Sequence, residues 1–163
     1  MKEALELNSV VAVPYGDVDI IPKDKTIQTQ GLYACLGVVL MDEKKVVLAH
    51  IPTVEPFAVC DYDTPGHIVV NPRTFEQLTD KLLYIFGNKT ENTHACLVGG
   101  VKDISEETIK KITDTLVKWG LRKEQIELIG PHDKEAEWSL IISQGKLFVQ
   151  SKKYMSGWGE TTS

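Results

Sequence analysis

The sequence predicts an α/β fold in which a mixed β-sheet, or a sandwich of two sheets, is flanked by helices. Three observations carry that expectation. Short runs rich in β-branched residues recur along the chain between Pro, Gly and Asp. Two segments show helical spacing of apolar residues with cap residues at their ends. The strands come both as hairpins and as one strand, helix, strand unit, which an all-parallel or all-antiparallel sheet would not produce. At 163 residues the chain is of one-domain size, and residues 1–150 are read as that domain. Residues 151–163, polar and Gly-containing, are read as a loose tail.

The elements follow in order. Val10 to Val13 and Val18 to Ile21 read as strands joined by the turn Pro14-Tyr15-Gly16-Asp17, an opening hairpin. Gly37 to Met41 and Val46 to Ile51 flank the polar tip Asp42-Glu43-Lys44-Lys45 and form a second hairpin. Prolines and polar residues break the pattern from Thr53 to Asn71, leaving short strands at Phe57 to Cys60 and His67 to Val70. Asn71 with Pro72 starts a helix whose apolar face is Phe75, Leu78, Leu82, Leu83 and Phe86, ended by Gly87. A buried-type strand, Ala95 to Val98, stops at Gly99-Gly100. Ser105 and the acidic turn after it then open a helix that ends at Gly120. Gln125 to Ile129 is the next strand, and Trp138 to Ile142 with Lys146 to Gln150 close the fold as a hairpin around Gln144-Gly145.

The bulk numbers narrow the function classes. Hydrophobic residues are 42% and charged residues 25%, the usage of a soluble globular chain. A net charge of -5 without a Lys/Arg cluster argues against nucleic acid as a partner. No run approaches the roughly 18 apolar residues of a membrane span, and the start lacks the basic and apolar regions of a secretory signal. The three cysteines are an odd number and imply reduced thiols. No CxxC occurs and the four histidines lack zinc-ligand spacing, so no metal or other cofactor is expected.

The chemistry-bearing stretch is Thr29-Gln30-Gly31-Leu32-Tyr33-Ala34-Cys35, with His50 fifteen residues after the cysteine. The predicted hairpin puts Cys35 at the start of one strand and His50 near the end of its partner, so their side chains meet across the ladder. A neighbouring imidazole that takes the thiol proton supplies a reactive thiolate. The imidazole needs a third group to fix its tautomer. Thr29 offers a hydroxyl for this, and a backbone carbonyl would serve equally well. Beside that reading stands a plainer one, in which Cys35 is a small core residue and His50 a satisfied histidine of an apolar strand.

These residues resemble the CheD family of chemoreceptor glutamine deamidases and its relatives among the cytotoxic necrotizing factors. The resemblance rests on Thr29, Gly31-Leu32, Cys35, the strand Gly37 to Met41 and the Ala49-His50 step, followed by Val98-Gly99-Gly100, a helix, a strand and a closing hairpin. It covers roughly residues 26–150. The chain departs from the family pattern at Tyr33-Ala34, where the family has Gly-Ser, and at Ile51-Pro52-Thr53 after the histidine. It therefore reads as a divergent relative, with its oxyanion donors and substrate rim not transferable.

What the resemblance implies is a catalytic set of Cys35, His50 and Thr29 that converts a glutamine side chain to glutamate through a cysteine thioester. The implied partner is a protein carrying the target glutamine, either a bacterial receptor in the cytoplasm or a host protein reached by a translocated effector. Two other readings remain: a catalytically silent binding module on the same fold, and a transglutaminase or small-amide hydrolase using the same pair. The loop with Phe57 and Tyr62 is a candidate substrate wall. His67, His94 and His132 are assigned to structure or surface, Asp61 and Asp63 to a solvated turn, and Trp158 to the tail.

Overall fold

The computed structural model describes residues 10–53, 58–60, 68–70, 74–133 and 136–153. Phe57, Asp61, Tyr62, Asp63, His67, Asn71, Pro72 and Trp158 lie outside the described residues.

The central piece is the hairpin of β4 (Cys35–Met41) and β5 (Lys45–Pro52), which sequence patterning had placed. Asp42 closes its tip by accepting from the main-chain N–H groups of Lys44 and Lys45. All seven residues of β4 are buried, and so is every residue of β5 after Lys45. Both faces are therefore covered, which explains why these strands read as continuous apolar runs. Around them form a five-stranded sheet in the order β2-β5-β4-β8-β9, with β2 (Val18–Pro22), β8 (His94–Gly99) and β9 (Ile126–Ile129). Only the β8–β9 pair is parallel, as the crossover helix between them requires.

A four-stranded sheet, in the order β1-β3-β10-β11, packs on one face. It comprises β1 (Val11–Ala12), β3 (Thr26–Leu32), β10 (Ala136–Ser143) and β11 (Lys146–Lys153). Ile27, Leu32, Leu140 and Ile142 from this sheet meet Val39, Leu48 and Val98 from the other in one apolar layer. On the opposite face of the five-stranded sheet lie α1 (Phe75–Phe86) and α2 (Glu106–Trp119). There Leu78, Leu82, Ile112 and Leu116 pack on Val38, Leu40, Val47 and Leu97. The result is an α/β fold with two mixed sheets and helices on one outside face. A separate two-stranded pair, β6 (Ala58–Cys60) and β7 (Ile68–Val70), completes the described strands.

Four expectations are corrected. The opening hairpin does not form: β1 pairs in parallel with β3, whereas β2 pairs with β5 in the other sheet. Its four-residue link crosses between sheets, because His50 N–H and C=O already bond to Asp17 and Gly16 and draw the chain onto β5. The strand β3 was not anticipated. The first helix starts at Phe75 rather than after Asn71, since Thr74 and Gln77 cap each other's main-chain N–H groups in a capping box. Residues 151–153 are not loose but finish β11, where Ser151 pairs with Trp138.

Candidate functional site

The register of the central hairpin decides which side chains share a face. Gly37 stands opposite His50 and Cys35 opposite Pro52. Side chains alternate along a strand, so Cys35 and His50 point to the same side, toward the four-stranded sheet, as diagonal neighbours with Cα atoms about 7–8 Å apart. Gly37 leaves the place between them without a side chain. A Cβ there would stand 3.0 Å from Leu140 Cδ2 and 3.2 Å from Leu32 Cδ1. A glycine inside an apolar strand is a sign of such a close approach.

The third member arrives from the other sheet. Thr29 Oγ1 lies 2.7 Å from His50 Nδ1 and donates to the Val13 carbonyl at 2.8 Å. A hydroxyl has one proton, and Val13 O can only accept. The hydroxyl therefore gives its proton to Val13 and receives Nδ1–H from His50, which leaves the lone pair on Nε2. That nitrogen is buried without a hydrogen-bond partner. Leaving a buried polar atom unpaired costs about 1–3 kcal/mol, an expense that structures tolerate mostly where the atom has work to do. The Tyr15 ring packs over the imidazole with centroids 5.6 Å apart. Val13 and Tyr15 carried no sequence signal, because their place in the site follows from the crossing of the first loop between sheets.

Cys35 is 9% exposed, and its sulfur makes no hydrogen bond to Nε2. Burial pushes the thiol up to about 12 and the imidazole down to about 4. Both groups are therefore neutral at pH 7. Desolvation disfavours the charged form of each group, so the resting state is thiol and imidazole. What the arrangement retains is an imidazole whose acceptor nitrogen is Nε2, on the same sheet face as the thiol.

The turn before Cys35 is held from behind. The Thr53 hydroxyl donates to Ala34 O, so Ser105 Oγ–H must donate to Thr53 Oγ1 at 2.8 Å, while Ser105 Oγ accepts Val101 N–H at 2.9 Å. One directed chain thus runs from the residues before α2 to the residue preceding the cysteine. Ser105 opens the helix as expected, but its hydroxyl serves this chain and makes no cap bond. On the other side His132 Nε2 lies 3.0 Å from Leu32 O and its ring stacks on Trp138. Tyr33 N–H is committed to Gly31 O. His132 is buried and His94 exposed, as structural and surface residues.

A cleft of about 570 Å³ reaches His50 from outside, between residues 12–15 and residues 28–31. Among the described residues no three His, Cys, Asp or Glu side chains converge as a metal site requires, and no helix is long and apolar enough to cross a membrane.

No protein family and no curated protein matches the sequence. Among solved structures the chain is similar to the C-terminal domain of CNFy from Yersinia pseudotuberculosis. That similarity has a TM-score of 0.39 at 10% identity over 91% of this chain, which spans 57% of the length of that one.

Proposed function

We propose that the chain is a cysteine-dependent protein-glutamine deamidase, with Cys35 as nucleophile, His50 as base and Thr29 as the residue that sets the imidazole tautomer. The observation that carries the reading is the buried, unbonded Nε2 of His50, held as an acceptor by Thr29 and facing the side of the sheet from which Cys35 also projects.

The steps follow from a neutral pair. As the glutamine carboxamide enters, His50 Nε2 takes the thiol proton while sulfur bonds to the carboxamide carbon, giving a tetrahedral adduct. The imidazolium returns that proton to the departing nitrogen, the C–N bond breaks, and ammonia leaves a thioester. A water molecule gives a proton to Nε2 and its oxygen to the carbonyl carbon. Breakage of the C–S bond then releases glutamic acid and, with the proton from His50, regenerates the thiol. Entry of the polar carboxamide also replaces part of the solvation that burial removes, which is when the charged pair becomes accessible.

The experiment compares cells expressing wild type with cells expressing Cys35→Ser or His50→Gln. Peptide mass spectrometry should show glutamines converted to glutamate in the first alone, and identical proteomes in all three would overturn the reading. Ammonia release without incorporation of an added amine separates deamidation from transglutamination. Burial of Cys35 favours a second reading, a non-catalytic binding module. On that reading His50→Gln leaves every cellular effect of the protein intact.

A further inference from the structure

The cleft that reaches His50 is walled by residues 12–15 and 28–31, and along it runs an unfinished β-ladder. β1 pairs with β3 at Val11 opposite Ile27 and Ala12 opposite Gln28, and Val13 N–H adds a bond to Gln28 O at 2.8 Å. In a parallel ladder the Val13 carbonyl would next accept the main-chain N–H of Gln30. Instead the Thr29 hydroxyl takes it, and Pro14 turns the chain away toward the other sheet. Beyond that point no strand among the described residues pairs with this edge of β3.

The same stretch is shaped for another backbone to approach. Pairing with β10 steps from Leu32 opposite Trp138 to Thr29 opposite Leu140, so β3 carries an extra residue at Gln30 and Gly31. Such bulges bend an edge and re-aim its neighbours beside sites. Gly31 has a φ of +74°, and nothing lies within 4 Å of where its Cβ would stand. No Lys, Arg, Asp or Glu is among the described residues that line the cleft. Free glutamine carries an ammonium and a carboxylate, and burying those ions without counter-charges is costly. A glutamine inside a polypeptide carries neither.

Resting on the deamidase reading of this site, we propose that the target glutamine enters on an extended, uncharged segment of its protein that adds as a strand to the edge of β3 at residues 30–32. The segment takes up the ladder where β1 leaves it. Main-chain hydrogen bonds hold such a strand whatever its sequence, and every second side chain points to one face. One of those faces is the inter-sheet side, where Thr29 and His50 lie, and the glutamine is delivered there. Gln30 and Gly31 also line a second cleft, of about 320 Å³, with Ser139, Gln150 and the ion-paired Glu137 and Lys152, which takes the side chains that face outward.

The test uses the full chain as Cys35→Ser and the blocked heptapeptide acetyl-Thr-Val-Thr-Gln-Val-Thr-Thr-amide, with copies N-methylated at single positions beside the glutamine. Titration followed by amide NMR should move the resonances of Gln30, Gly31 and Leu32 most. At least one N-methyl copy should bind about tenfold more weakly, the loss of one main-chain bond, while exchange of the flanking valine for threonine leaves the affinity within about threefold. Free glutamine at the same concentration should shift nothing at residues 30–32. Failure of the peptide to bind at millimolar concentration, shifts that leave residues 30–32 untouched, or N-methyl copies that bind like the parent overturn strand addition. Ammonia release by wild type is read separately. Peptide that binds at the edge but is never turned over overturns the deamidase reading and leaves strand addition standing.

Discussion

Replacing Thr29 with valine keeps the branched shape and removes only the hydroxyl that joins Val13 O to His50 Nδ1. Two hydrogen bonds of 2.8 and 2.7 Å disappear. Each contributes about 1 kcal/mol net, and His50 Nδ1–H is left as a buried unpaired donor at about 1–3 kcal/mol, so Thr29→Val should lose about 3–5 kcal/mol of stability. Valine is thus no neutral stand-in at this position. The decisive readout is the tautomer, measured by long-range proton–nitrogen correlation on the His50 ring at pH 7. Wild type and Thr29→Ser should carry the proton on Nδ1, and Thr29→Val should show a population with the proton on Nε2. Deamidation, where assayed, should fall by up to the 10²–10⁴-fold that a positioned base contributes, about that range being usual. Wild-type protein with its proton on Nε2 at neutral pH would refute the reasoning, whatever the stability of the variant.

Other outcomes follow from the same geometry. His50 is held at about 4 by burial, below its ordinary 6.5, so the unfolded chain binds more protons between these values and stability falls as pH drops through them. The loss amounts to about 3 kcal/mol at 1.36 kcal/mol per unit, and urea midpoints at pH 7 and pH 4 should show it in wild type but not in His50→Gln. Cys35 and Cys96 are both pushed up to about 12. Iodoacetamide at pH 7.5 should therefore alkylate either in the folded protein about 10³-fold more slowly than a free cysteine, and rapid labelling of Cys35 would contradict its neutral resting state. Ser105→Ala breaks the chain from Val101 N–H to Ala34 O. It should cost about 2–3 kcal/mol in chemical denaturation, whereas an unchanged midpoint would show the chain to be dispensable.

The central hairpin, the two helices and the closing hairpin were legible because each is apolar in a single period and bounded by its own turn or cap. The strand β3 was not. Its inward positions are Ile27, the polar Thr29 and, after the bulge, Leu32, so neither hydrophobic alternation nor strict period survives in Thr26–Leu32. The opening hairpin misled for a related reason: local turn chemistry at residues 14–17 is the same whether the strands it joins share a sheet or part between two. Cys35 and His50 were nameable as a pair because one hairpin holds both. Thr29 was nameable as a hydroxyl at a useful distance, but the Val13 carbonyl that fixes its role belongs to a contact between elements far apart in sequence, which no local pattern encodes. The neutral state of the pair was likewise invisible, since it comes from burial.

That division between a local hairpin and a distant sheet has a consequence for biogenesis. Cys35 and His50 are set on one face as soon as an 18-residue hairpin zips up, a short-range event that is among the faster steps of folding. Thr29 and Val13 reach the imidazole only when the second sheet docks, and that sheet needs β10 from more than a hundred residues downstream. A half-folded or truncated chain would then hold Cys35 and His50 on one face of the hairpin with the imidazole in no fixed tautomer. On the proposed deamidase reading, the reaction would stay off until that last long-range contact closes.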